Sequence, residues 1–140
     1  MATISSLEDL EVWQLSRDLV KRVYALCEKP PVANDRFLAS QAKRAAVSCM
    51  ANIAEGYGCP TNLDFARFLG MSCGSAEELV SHAHVMLDVG YITRAHFNEI
   101  TELARRIIRG NSSLSANLRR VGNSRTRNRQ TEKPNDRKTE

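Results

Sequence analysis

The sequence predicts an all-α protein: an up-down-up-down antiparallel four-helix bundle followed by a disordered basic C-terminal tail. Apolar residues recur at helical spacing in four stretches, and each stretch is bounded by a capping residue or by a Pro or Gly stop. The connections between them are short, and no stretch alternates as a strand would. The bundle is expected over residues 1–120 and the tail over 121–140.

Ser5 can cap the first helix, with Glu8 as the other half of a capping box. Leu10, Trp13, Val20, Val23, Leu26 and Cys27 then recur at helical spacing until Pro30-Pro31 end the element. The second helix runs from about Asp35 to Glu55, where Gly56-Tyr57-Gly58-Cys59-Pro60 is expected to stop it. Thr61 or Asn62 caps a third, which continues through Phe65, Phe68, Leu69, Leu79, Val85 and Met86 to Val89 and ends at Gly90. This should be the longest of the four. Thr93 opens the last, whose Phe97, Ile100, Leu103, Ala104, Ile107, Ile108 and Leu114 make one apolar face.

Charge is unevenly placed. Residues 1–118 hold 12 Lys+Arg against 13 Asp+Glu and residues 119–140 hold 8 against 3, which leaves the body at −1 and the tail at +5. Any attraction to nucleic acid is therefore expected from the tail, through Arg119, Arg120, Arg125, Arg127 and Arg129, with no nearby aromatic for base stacking. No run reaches the ~18 apolar residues of a membrane helix, and the first residues lack the pattern of a signal peptide. A cytoplasmic chain with reduced cysteines is the expectation, Cys27, Cys49 and Cys73 serving as small packing residues.

The second helix carries its polar groups along one narrow line. At about 100° per residue, Gln41, Arg44, Ser48, Asn52 and Glu55 fall within roughly 80°, while Ala45, Ala46, Val47, Cys49, Met50, Ala51, Ile53 and Ala54 cover the rest. Such a helix should be packed on most sides, more than one bundle covers, so homo-oligomerisation is expected. In an antiparallel hairpin with helix three, Glu55 would meet Arg67, Asn52 would meet Gly70, Ser48 would meet Gly74 and Arg44 would meet Glu78. The expectation is a structural polar network of Arg44, Ser48, Asn52, Glu55, Arg67 and Glu78; removing one partner of an ion pair should cost roughly 3 to 5 kcal/mol if the pair is partly buried, whereas exposed pairs contribute only ~0 to 1 kcal/mol each. Gly70 and Gly74 are expected to allow close helix packing.

Catalytic and metal chemistry find no foothold. Di-iron bundles need Glu-x-x-His pairs, but Leu79, Ser81 and Thr93 stand three residues before His82, His84 and His96. His82 and His84 are two apart on a helix, point in different directions and cannot form an i, i+4 metal pair. No catalytic residue, metal site or cofactor is expected, and the chain reads as a non-enzyme.

Leu10-Glu11-Val12-Trp13-Gln14, Ser40-Gln41 with Arg44 and Ser48, Asn52-Ile53-Ala54-Glu55-Gly56-Tyr57, Arg67-Phe68-Leu69, and Gly74-Ser75 with Glu78-Leu79 occur in that order. Together they resemble the bacterial 23S ribosomal RNA intervening-sequence proteins over about residues 7–118. The resemblance implies a cytoplasmic four-helix bundle assembled as a ring-like homopentamer, related to the accessory protein of diversity-generating retroelements, which binds RNA and a reverse transcriptase. Cys49-Met50 and Cys73 depart from the family pattern, and the body lacks the strong positive charge of the retroelement relatives. The expected partners are further copies of the chain and RNA or a ribonucleoprotein. The alternative is a protein-binding assembly module with no nucleic-acid contact.

Overall fold

A computed structural model describes residues 4–122. Over these residues the chain forms α1 (Glu11–Cys27), α2 (Arg36–Gly58), α3 (Asn62–Asp88) and α4 (Arg94–Val121), with single 3-10 turns at Leu7–Asp9 and Val32–Asn34. Each helix packs on its two neighbours, α1 on α2 and α4, and α3 on α2 and α4. This is the expected antiparallel four-helix bundle.

Three of the helix starts follow from side-chain caps. Asp35 accepts the Leu38 N–H at 3.0 Å, Thr61 Oγ1 the Asp64 N–H at 3.1 Å and Thr93 Oγ1 the His96 N–H at 3.1 Å, each satisfying an otherwise unbonded amide of a first turn. The start of the chain differs from expectation. Asp9, and not Glu8, closes the capping arrangement, accepting the Ser5 and Ser6 amides at 3.0 Å and the Ser5 hydroxyl at 2.9 Å. These bonds hold the Asp9 carboxyl below its usual pKa and confine the first turn to Leu7–Asp9. Leu10 is then extended, and α1 begins after it.

Helix two also outruns its expected end, continuing to Gly58. Gly56 does not break it. It is buried, and a Cβ there would lie 2.7 Å from Phe68 Cβ and 2.8 Å from the Phe65 ring, so the missing side chain leaves the room in which α3 packs against α2. The actual stop is Cys59, extended as a residue before proline prefers to be. Gly110 plays the same part between α4 and α1, with Val12 Cγ1 2.7 Å from its notional Cβ. Helix four, at 28 residues, exceeds helix three by one.

The core is continuous through the bundle. Leu19, Ile53, Leu69, Leu79 and Ile107 are fully enclosed, each contributing about 1.5 to 3 kcal/mol relative to exposure. Ala42, Ala45 and Ala46 on α2, with Ala66 and Ala76 on α3, line much of the remaining interface, and their small side chains bring the backbones together. On α1 the buried line is Val12, Ser16, Leu19, Val23 and Cys27, whereas the expected Trp13, Val20 and Leu26 lie half-buried at its margin. Arg17 covers the Trp13 ring at 5.7 Å.

Candidate functional site: a polar layer and two basic grooves

Serine, cysteine, serine and asparagine, one from each helix, meet in the middle of the bundle. Ser16 of α1 donates to its own helix at Val12 O, 2.7 Å, with its oxygen 3.9 Å from Cys49 Sγ of α2. Ser72 of α3 donates to the Cys49 carbonyl at 2.7 Å. With its one hydrogen used there, Ser72 Oγ accepts from Asn111 Nδ2 of α4 at 3.0 Å and from the Cys49 thiol at 3.3 Å. All four side chains are buried. Asn111 Oδ1 is enclosed and has no hydrogen-bond partner among the described residues. Burial pushes the Cys49 thiol above its ordinary pKa, offset in part by its hydrogen bonds to Ser72 and Ser16, so the sulfur stays protonated and unreactive.

This layer was not foreseen. Ser16 and Asn111 each interrupt an otherwise apolar face, a signal visible in the sequence. That the interruptions lie at one level depends on the register of four helices, which no single helix encodes.

The polar line on α2 lies beside this layer, on the outer side. Its centre is ordered, but not with the expected partners: Ser48 Oγ is 2.9 Å from Ser75 Oγ rather than at Gly74, and Asn52 bonds within α2 rather than toward Gly70, its Nδ2 donating to Ser48 O at 2.9 Å and to Ser48 Oγ at 3.2 Å. Ser48 meets Ser75 and Cys49 meets Ser72, one residue either side of the anticipated α2–α3 register. The charged ends do not close across the helices. Arg67 is 3.9 Å from Asp64 and covers the Phe68 ring at 4.7 Å, while Glu78 is 3.3 Å from His82. Arg44 and Glu55 form no ion pair among the described residues. Arg67 and Glu78 have partners three and four positions away on their own helix, where backbone geometry already brings side chains together. Bridging to α2 would require ordering two long side chains in water.

Gly70 and Gly74 also differ from expectation. Both face outward, and a Cβ on either would meet nothing within 4 Å, so they serve no close packing inside this chain. Leu63 and Met71, at helical spacing from them on α3, are exposed, as are Phe37, Val47 and Ala51 on α2. Met71 keeps 48% and Phe37 76% of its surface.

Several open grooves carry arginines, and two of them hold candidate residues. One, of about 860 Å³, lies between the start of α1 and the second half of α4, with Leu10, Leu15 and Leu114 as an apolar floor and Arg106, Arg109 and Arg120 along it. The other, of about 660 Å³, lies between α1 and α2 and includes Arg44. Arg119 and Arg120 belong to the last turn of α4 rather than to a tail, and Arg120 donates to Asn117 Oδ1 at 2.7 Å. Arg125, Arg127 and Arg129, and the expected disorder of the tail, lie outside the described residues. Among the described residues no group of three or more His, Cys, Asp and Glu could hold a metal, and no helix is long and apolar enough to cross a membrane. His82 lies against Glu78, and His84 packs edge-on against Phe97 with centroids 4.7 Å apart.

A family model described as 23S rRNA-intervening sequence protein matches residues 8–124. A crystal structure from Bacteroides thetaiotaomicron, described as a protein of unknown function from the S23 ribosomal protein family, superposes with a TM-score of 0.69 at 21% identity. The match covers 74% of this chain and 97% of that one, and it shows a shared fold. No curated protein matches the chain significantly.

Proposed function

The chain belongs to the 23S rRNA-intervening sequence protein family, and from that premise we propose that it is a non-enzymatic, cytoplasmic subunit of a homo-oligomer that binds RNA or a ribonucleoprotein. The observation that carries the reading is the outer surface of α3, where Leu63 and Met71 are 40% and 48% exposed at helical spacing from two outward glycines, Gly70 and Gly74. A helix with that much uncovered apolar surface is supported by further copies packing on it, and the family resemblance implies five. The +5 charge of residues 119–140 supports an RNA partner, because Lys and Arg that neutralise phosphates release counterions. Several such segments on one particle raise the local concentration after a first contact.

Light scattering at micromolar concentration tests the assembly: a particle several times 15.7 kDa is expected, and a monomer of that mass overturns it. Titration of a labelled RNA tests the partner. Binding should be largely independent of sequence and fall by about 0.7 to 0.9 log units per log of salt for each neutralised phosphate. Truncation after Gly122, which leaves α4 whole, should remove most of the attraction.

The competing reading, a protein-binding assembly module, is favoured by the apolar floor of the α1–α4 groove. An oligomer that binds no RNA at low salt would select it.

A further inference from the structure

We propose that the groove between α1 and α2 seats single-stranded RNA, with Arg36, Lys43 and Arg44 on its phosphates and Tyr24 and Phe37 against its bases. This rests on the RNA-binding reading above and gives it a site on the bundle itself.

The groove is lined by Tyr24, Arg36, Ser40, Lys43, Arg44 and Val47, among others, and no carboxylate is among its lining residues. Arg36, Lys43 and Arg44 form no ion pair among the described residues. Asp35, next to Arg36, is already engaged, capping α2 at Leu38 and accepting the Tyr91 hydroxyl at 3.2 Å. Three cations with no acid among them are complementary to a polyanion. The slightly negative body therefore does not prevent a local positive surface: Glu77, Glu78, Asp88 and Glu102 stand on α3 and α4, and Glu28, exposed and acting on the groove-lining Cys27, is one charge against three.

Helical spacing orders these groups. Arg36 and Lys43, seven apart, lie on one line of α2, and Phe37, Ser40 and Arg44 lie on the adjacent line, so cations and an aromatic are presented along about 12 Å of axis. Phe37 is 76% exposed and Tyr24 39%. Lys43 Nζ lies over the Tyr24 ring, 5.0 Å from its centroid, so a phosphate that draws Lys43 to itself also bares that ring face to a base. Phosphate-binding cations interleaved with aromatic rings are what sequence-tolerant single-strand binding uses, and here Tyr24 lines the groove while Phe37 stands outside its lining, on the same helical line as Ser40 and Arg44. The α1–α4 groove lacks this combination, since its cations flank leucines, Glu11 is among its lining residues and none of them is aromatic.

The test is fluorescence anisotropy with a labelled, mixed-sequence single-stranded RNA at two salt concentrations, using the full chain. The triple variant Arg36→Gln, Lys43→Gln, Arg44→Gln should weaken binding at least tenfold and reduce the slope of log affinity against log salt by about 2, the loss of three phosphate contacts. Tyr24→Ala with Phe37→Ala should weaken it about tenfold and leave the slope unchanged. Arg94→Gln with Arg105→Gln, on α4, should change affinity less than twofold. Helicity by circular dichroism confirms folding. If the triple variant loses it, Arg36→Gln with Arg44→Gln, both exposed, repeats the test with a slope change of about 1.4.

A triple variant that binds like the full chain overturns the groove and leaves the RNA-binding function standing. Absence of RNA binding by the full chain overturns both. Displacement of the RNA by polyglutamate of equal charge, together with an aromatic variant that binds normally, would make this a seat for acidic polypeptides and overturn the inference.

Discussion

Asn111 reaches across the α3–α4 interface to donate to Ser72 at 3.0 Å, while its own carbonyl oxygen, equally enclosed, receives nothing from the described residues. The pair is half of a bargain. A buried hydrogen bond contributes about 0.5 to 1.5 kcal/mol net, but leaving one partner unsatisfied costs about 1 to 3 kcal/mol.

Ser72→Ala should therefore destabilise the fold by about 2 to 3 kcal/mol, because it strands the Asn111 amide as well as losing a bond. Asn111→Leu on its own should be milder, since it also removes the orphaned oxygen. Combining the two should cost less than their sum. Urea unfolding of the four proteins at one protein concentration measures the coupling, and strict additivity would dissolve the network.

The α2 stripe should behave in two ways along its length. Ser48→Ala and Ser75→Ala touch the same 2.9 Å contact and should be non-additive. Alanine cycles on Arg44 with Glu78, and on Glu55 with Arg67, should be additive within about 0.3 to 0.5 kcal/mol. A coupling of several kcal/mol in either charged pair would show that they meet in solution, within the chain or between copies.

Glycines of opposite surroundings should respond with opposite signs. Gly56→Ala forces a methyl to 2.7 Å from Phe68 Cβ and should cost about 1 to 3 kcal/mol by overpacking. Gly74→Ala meets open space and should stabilise the isolated helix by up to about 1 kcal/mol. Comparing thermal midpoints with light-scattering mass gives a second readout: if further copies cover this face, Gly74→Ala lowers the assembled mass even as it favours the helix.

The four cysteines should divide evenly in reactivity. Cys27 and Cys49 are buried with thiols pushed above their ordinary pKa mainly by burial, whereas Cys59 and Cys73 are half-buried. Native protein should react at two thiols quickly and at two only on unfolding, counted with a chromogenic disulfide. The raised values also set a pH dependence. The unfolded thiols ionise near their ordinary value of 9.0 while the folded ones hold their protons, so their contribution to stability is intact below pH 9 and is lost as pH rises through the folded values. Cys27→Ala with Cys49→Ala should flatten the alkaline limb, and an unchanged limb would assign it to other groups.

Helix identity and most caps were legible because their causes are local. Asp35, Thr61 and Thr93 sit just ahead of periodic apolar runs, and each caps its helix. Gly56 was misread because its meaning is tertiary: as a local signal a glycine near Pro60 reads as a stop, whereas here it is the space Phe65 and Phe68 occupy. Gly70 and Gly74 failed in the reverse direction, their spacing suggesting a crossing that this chain does not make. Arg44 was assigned to α3 by counting along a stripe, but its position at the edge of that stripe turns it toward α1, where it lines the groove with Lys43 and Tyr24. Periodicity finds the face of a helix more readily than the neighbour that a long side chain chooses.

The polar layer also limits how this molecule can change over evolutionary time. Ser16, Cys49, Ser72 and Asn111 sit on four different helices but share one small volume, so a lineage that replaces Ser72 with an aliphatic residue inherits a stranded amide until Asn111 is replaced too. Positions 39 apart in the chain are thereby tied as closely as neighbours. Substitutions at them should be found together, and the intermediate sequences between two such cores should be the less stable ones.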